Sequence, residues 1–509
     1  MKKTALMLMT IMIITKALGF GRDIILSYFY GVSSISDAYL ISLTIPTILL
    51  ALIGTGIATC YIPMYSSIEK NGSVKLADNF TSNVINFMLI ICTFIVIVGS
   101  IFTVQLVKIF ASGFEGETLN LAVSFTRVII FAVYFEGIIY VLSGYLQLKN
   151  NFFAPAFMSI PLNIIIIVSI IVSTKLSVHF IAVGNIIAMG VQMLYLMPFV
   201  YKNGYKYRFI LDVKNEDFKK LAILALPVIA GVSVNQINVL IDRTIASQLL
   251  VGGISALTYA NKLNLFIQGI FVMSIATTFY PMMSRFANEN KISNLKKTIS
   301  EAINIINFLL LPTAVGAMLF AEPIVKLLFG RGAFDLQAIS MTSYALFFYS
   351  IGMVGVGLRE VLSRAFYSLH DTKTPTINAA IAVVINIIGN LVLSKFLGIG
   401  GLALATSISA IIGTALLFIS LIRKIGSFDI SRIMVSFIKF FCASLVMGFI
   451  AKILYHYLTP ITSGNLALLI SVFAGASIYL MIVYFMKIED VDFFREFVKR
   501  KLKKSEVSN

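Results

Sequence analysis

The chain is built from long apolar runs, each about 20 residues or more, separated by short polar punctuation. Runs of that length read as helices crossing a bilayer, because backbone in hydrocarbon must satisfy its own hydrogen bonds. A membrane barrel would instead alternate apolar and polar residues over strands of about ten. The pattern predicts an all-α polytopic membrane protein with 14 transmembrane helices. Spans fall near 4–30, 34–64, 80–110, 117–147, 152–174 and 178–201, then near 219–249, 253–284, 298–322, 336–367, 375–396 and 400–422. Two more follow at 432–456 and 464–486.

The first twelve spans are a duplication. Residues 57–66 read IATCYIPMYS, and residues 275–284, 218 positions later, read IATTFYPMMS. VKIF from Val107 returns as VKLL from Val325, and Leu142-Ser143 before Pro155 returns as Leu362-Ser363 before Pro375. Six spans is an even number, so both halves enter the membrane from the same side as parallel repeats. The expected organisation is an N-lobe over 1–201, a basic linker over 202–218 and a C-lobe over 219–424. Two extra helices within 425–487 and a basic tail over 488–509 complete it. Repeats of this kind carry substrate near the midplane and expose it to each side in turn.

Composition agrees with a bilayer location: 59% hydrophobic residues, 12% charged and mean hydropathy +0.94 leave too little polar surface for a water-soluble globule. The net charge of +17 gathers at alternate connections, at Lys2 and Lys3, Lys70 and Lys75, Lys149, the 202–220 stretch, 285–297, Lys373, and Arg423 with Lys424. One intervening loop carries Glu115 and Glu117. The positive-inside rule then places both termini in the cytoplasm, and the basic charge serves topology and anionic membrane lipid rather than nucleic acid. The first apolar run has no small-residue cleavage site and reads as a retained span. Cys60, Cys92 and Cys442 all lie in apolar runs and read as small core residues. Neither the cysteines nor the histidines have metal-ligand spacing, no phosphate-cradling glycine loop is present, and the loops are too short for a soluble catalytic domain. No enzyme and no organic cofactor is expected.

Ionisable residues inside spans are costly and point to function. Lys16, Arg22 and Asp23 surround a Gly19-Phe20-Gly21 break, and Lys16 and Asp23, seven apart, share a helical face. Snorkelling to the interface is the plain reading, and a cationic cavity for an anionic substrate group is the sharper one. Asp37 opens the second span, where it either complements the helix dipole or gates. Lys262 stands deep in its span with no acidic residue within a turn along the sequence, which favours substrate contact. Arg127 and Glu136 read as partners for other helices, and Glu360 with Arg364 as an i, i+4 pair. Asn235, Asn238 and Asp242 form one stripe, to which Asn386, Asn390 and Thr406 add further oxygens. These serve interhelical hydrogen bonding or a hard monovalent cation, Na+ or H+, that would couple transport.

Several stretches resemble the MurJ/MviN lipid II flippase family of the MOP exporter superfamily. They are Leu18-Gly19-Phe20-Gly21-Arg22-Asp23, Ser36-Asp37-Ala38, and Gln236-Ile237-Asn238 through Asp242-Arg243. The most specific are Glu322-Pro323-Ile324-Val325 through Gly330-Arg331-Gly332-Ala333-Phe334-Asp335, and Leu362-Ser363-Arg364-Ala365-Phe366-Tyr367 with Asp371-Thr372-Lys373-Thr374-Pro375.

The resemblance implies export of an undecaprenyl-diphosphate-linked glycan lipid across the bacterial cytoplasmic membrane for cell wall synthesis, with synthesis enzymes as further partners. It places the family's cavity arginines on Lys16, Arg22 and Lys262, where lysine keeps the charge and loses the bidentate fork. After Pro46 the family carries an Arg-Arg pair and then Glu-Gly, whereas this chain reads Leu49-Leu50-Ala51-Leu52-Ile53-Gly54-Thr55-Gly56. The alternatives are a flippase for another polyprenyl-diphosphate glycan, a small-molecule antiporter of the related MATE type, and a scaffold recruiting synthesis enzymes. The last two helices read as a wall for the lipid tail or as simple packing.

Overall fold

The computed structural model describes residues 2–486, and the basic tail expected over 488–509 lies outside them. Every regular element among the described residues is a helix. Two compact units emerge, Met1–Ser255 with Arg331–Ala338, and Ala256–Gly330 with Ile339–Asn509.

The first unit holds α1 (Lys2–Tyr30), α2 (Ser34–Asn71), α3 (Val74–Ile101), α4 (Thr103–Phe110), α5 (Gly116–Ile129), α6 (Ala132–Leu148), α7 (Phe153–Phe157), α8 (Ser159–Ser173), α9 (Phe180–Lys202) and α10 (Glu216–Leu249). Its core gathers Tyr61, Tyr65, Val84, Met88, Tyr145 and Leu221, all buried. α2 has 38 residues, about 57 Å at 1.5 Å per residue, so it outreaches a hydrocarbon layer of about 30 Å.

The second unit takes α11 (Gly253–Asn288) from Ala256 onward, then α12 (Ile292–Leu319), α13 (Ala321–Phe329), α14 (Leu336–Ile351) from Ile339, α15 (Met353–Ser368), α16 (Lys373–Leu397), α17 (Ile399–Ile425), α18 (Ile430–Leu458) and α19 (Gly464–Phe485). Large apolar side chains such as Phe94, Phe396 and Phe473 are exposed, as a lipid-facing surface requires. Cys60 and Cys92 are buried as expected, but Cys442 is exposed, because α18 turns an apolar face outward.

Eleven helices among the described residues are long and apolar enough to cross a membrane, or up to 13 if each bent pair is one span. The expected first span corresponds to α1, of 29 residues. The bent pairs are α5 with α6, at 46°, and α14 with α15, at 45°. They occupy matching places in the two repeats, as do the short helices α4 and α13. A break inside a bilayer frees backbone carbonyls that neighbouring helices must satisfy. Ser407 of α17 donates to the Phe348 carbonyl at 2.6 Å, on the N-terminal side of the bend between α14 and α15.

The compact units follow packing rather than the repeat. α10, the first helix of the second repeat, lies along α2 and groups with the first unit. The approach is close: a Cβ on Gly56 would stand 2.7 Å from Ile229 Cγ1 and 3.1 Å from the Ala225 carbonyl oxygen.

Candidate functional site

In the first unit α1 carries Lys16, exposed, and the half-buried Arg22, whose Nε and Nη2 donate to Asp23 Oδ1 at 3.2 and 2.9 Å. Two of the five guanidinium donors are thereby used. Tyr39 of α2 lies within electrostatic reach of Arg22 and engages Asn185 of α9. On α8, Asn163 is buried, donates to the Ser159 carbonyl at 2.7 Å and keeps its Oδ1 without a protein partner. That oxygen lies 3.8 Å from where a Cβ on Gly19 would stand, an ordinary contact, and the break expected at Gly19-Phe20-Gly21 is not found: α1 runs as one helix from Lys2 to Tyr30. Reading ionisable residues alone missed Tyr39, Asn163 and Asn185. The signal available was the cost of an amide in an apolar span.

Asp37 is buried, yet the N-cap of its own helix is Ser33. Its carboxylate reaches instead to the start of α11, accepting from the Ser255 N–H at 2.7 Å and from the Gly252 N–H at 2.8 Å. Arg243 of α10 donates to the Ile254 carbonyl at 3.1 Å beside them. Asp37 stands in the first turn of α2, as expected, and its carboxylate also caps the start of α11.

Lys262 is half-buried on α11 and belongs to the second unit. The stretch that departs from the family's Arg-Arg pattern is a packing seam: Leu50 and Ala51 are buried, a Cβ on Gly54 would meet the Tyr140 ring at 3.2 Å, and Gly56 faces α10. Arg127 and Glu136 form no ion pair among the described residues, unlike Arg364, which pairs with Glu360 at 2.9 Å as expected.

Of the candidate cation ligands, Asp242 is half-buried in the first unit, with Asn238 one turn before it and Asn235 exposed. Asn386, Asn390 and Thr406 are brought together in the second. Asn390 Nδ2 donates to Asn386 Oδ1 at 2.9 Å, and Asn386 Nδ2 donates to Thr406 Oγ1 at 3.2 Å. This ladder joins α16 to α17, the arrangement interhelical hydrogen bonding needs, and it also gathers neutral oxygens suited to a monovalent cation. α18 forms one wall of an apolar cavity of about 330 Å³ lined by Leu311, Met318, Val354, Leu358, Phe437 and Phe441.

The lipid II flippase MurJ family profile matches residues 26–474. A probable lipid II flippase MurJ of Buchnera aphidicola subsp. Baizongia pistaciae is 30% identical over 456 residues, covering 87% of this chain and 88% of its own. A probable lipid II flippase MurJ of Thermotoga maritima is 30% identical over 478 residues, with 93% and 94% coverage. A solved lipid II flippase MurJ in an inward closed conformation superposes with a TM-score of 0.83 at 28% identity, over 97% of this chain and all of that one. A multidrug resistance MATE family transporter of the MOP superfamily, inward-facing, shares the fold at a TM-score of 0.71 and 16% identity. With the profile covering both repeats, the chain belongs to the MurJ lipid II flippase family.

Proposed function

We propose that the chain is a lipid II flippase, carrying the undecaprenyl-diphosphate-linked disaccharide-pentapeptide from the inner to the outer leaflet of the bacterial cytoplasmic membrane for cell wall synthesis. The observation that carries this reading is the family match along residues 26–474, which takes in both repeats. The physical argument runs from the substrate. A diphosphate crosses hydrocarbon only against compensating cations, while its polyprenyl tail stays in lipid. Lys16, Arg22 and Lys262 are the cations assigned to the diphosphate, with Asp23 holding Arg22 in place and Asp37 acting through the start of α11. Both termini face the cytoplasm in this reading, and the two repeats alternate in access. The driving force is a monovalent cation gradient, with Asp242, Asn386, Asn390 and Thr406 as ligands, or the membrane potential.

One observation favours a second reading. Leu50 and Ala51 are buried in the stretch Leu49–Gly56, which lacks the family's Arg-Arg pair, and this suits a flippase for another polyprenyl-diphosphate glycan. Complementation of a bacterium depleted of its lipid II flippase separates the two. Rescue, with lipid II no longer accumulating in the inner leaflet, supports the first; growth arrest despite normal membrane insertion supports the second. Arg22→Gln and Lys262→Gln should each abolish rescue, and intact rescue in both removes their assigned roles.

A further inference from the structure

Between the end of α9 and the start of α10 the chain runs without regular secondary structure over residues 205–212, between turns at 203–204 and 213–214, and α3 grips its main chain. Asn83 Nδ2 donates to the Asp212 carbonyl at 2.8 Å while its Oδ1 accepts from the Asp212 N–H at 2.8 Å. Asn86 Nδ2 donates to the Ile210 carbonyl at 2.8 Å, and Ser82 Oγ accepts from the Arg208 N–H at 3.3 Å. The Tyr205 ring is buried, with its hydroxyl 3.0 Å from Ser82 Oγ. A strap held largely by its backbone, with Tyr205 and Tyr207 turned to α3, leaves most of its other side chains exposed. Phe209, Leu211 and Val213, with Tyr207 whose hydroxyl donates to Asn86 Oδ1, take alternate positions among Lys206, Arg208, half-buried Ile210, Asp212 and Lys214; all but Ile210 are exposed, Phe209 by 82%.

An apolar row this exposed needs a nonaqueous environment, and a basic row interleaved with it needs anions. Both conditions meet in the headgroup layer of a membrane, where aromatic rings sit at the boundary and Lys or Arg reach phosphate. The strap joins the ends of two spans, so it lies at the level of that layer. We infer that residues 205–214 form a binding surface for anionic lipid of the leaflet facing the linker, with Phe209 and Leu211 inserted among the acyl chains and Lys206 and Arg208 holding lipid phosphates.

The chain contains no tryptophan, so Phe209→Trp places a single reporter on the strap. The full-length variant is reconstituted in nanodiscs of phosphatidylcholine, with and without phosphatidylglycerol, after size-exclusion chromatography shows it monodisperse. The expected result is quenching by bromine-labelled lipid, shielding from iodide, and stronger quenching as the phosphatidylglycerol fraction rises. Adding Lys206→Glu and Arg208→Glu should remove that dependence on anionic lipid, since each cation is worth on the order of fivefold in association with an anionic surface. Emission quenched by iodide and untouched by brominated lipid would overturn the proposal. Lipid quenching that ignores phosphatidylglycerol in the parent variant would overturn its anionic part, leaving insertion alone.

Discussion

The Asp37 carboxylate caps a helix other than its own, accepting the Ser255 N–H at 2.7 Å from a position 218 residues earlier in the chain. The Gly252 N–H completes the pair, and both bonds are buried. Removing the acceptor strands two buried donors, each costing about 1–3 kcal/mol. Asp37→Ala should therefore lower the thermal midpoint of the purified protein well below that of Ser33→Ala, which loses an ordinary N-cap worth about 1 kcal/mol. Asp37→Asn keeps an acceptor and should fall between them. Equal midpoints for Asp37→Ala and Ser33→Ala would remove the cross-cap from the account.

A second contact depends on two glycines. Gly31 has φ +57° and Gly332 has φ +62°. A Cβ on Gly31 would stand 2.3 Å from the Ala333 carbonyl oxygen, and one on Gly332 would stand 2.2 Å from that of Tyr28. The Ala333 N–H donates to the Tyr28 carbonyl at 2.8 Å between them. Alanine at either site meets both a left-handed backbone, costing about 1–3 kcal/mol, and a main-chain collision. Gly31→Ala and Gly332→Ala should each lower the thermal midpoint markedly. Gly316→Ala, inside α12 with nothing within 4 Å, should leave it unchanged or raise it by the equivalent of about 0.4–1 kcal/mol.

In the turn before α16, Asp371 accepts from Lys424 Nζ, from the Thr374 N–H at 3.0 Å and from Thr374 Oγ1 at 2.8 Å. The Lys424 hydrogen bond, followed by the Thr374 backbone bond, lowers its pKa from 3.8 to about 2. A depressed carboxylate stabilises the fold above its unfolded pKa, and that stabilisation fades as pH falls through the folded one. The midpoint difference between the parent protein and Asp371→Asn should thus be constant above about pH 5, shrink below pH 4 and close near pH 2. A difference that stays constant down to pH 2 would show that the carboxylate charge contributes nothing.

Sequence carried the fold a long way because span length follows from hydropathy, which the bilayer enforces on every crossing, and the repeat from recurring residues such as 57–66 and 275–284. The bends at residues 130–131 and at Gly352 stayed hidden, since the apolar runs continue straight through both. Hydropathy also says nothing about which helix a span packs against, so the grouping of α10 with the first unit was not legible. The most recognisable stretches are turn chemistry. Gly332 supplies a left-handed residue, Asp335 Oδ1 accepts the Ala338 N–H at 2.7 Å, and Asp371 holds the start of α16. At the candidate site, charged residues announced themselves by their cost in a membrane, whereas coordinates were needed to set Tyr39 within electrostatic reach of Arg22, Asn185 against Tyr39 and Asn163 against α1.

The ladder of Asn390, Asn386 and Thr406 offers a test of cation coupling that does not rely on transport. Binding to the folded state alone stabilises by mass action, about 2.7 kcal/mol at a hundredfold excess over Kd. If these oxygens hold sodium, replacing potassium by sodium at constant ionic strength should raise the thermal midpoint of the parent protein. Asn386→Ala and Thr406→Val should then lose the sodium increment as well as baseline stability. Interhelical hydrogen bonding alone predicts a different pattern, in which both variants melt lower by the same amount in either salt and the parent protein does not distinguish the two ions. That second pattern would remove Asn386, Asn390 and Thr406 from the coupling mechanism and leave Asp242 or the membrane potential to drive transport.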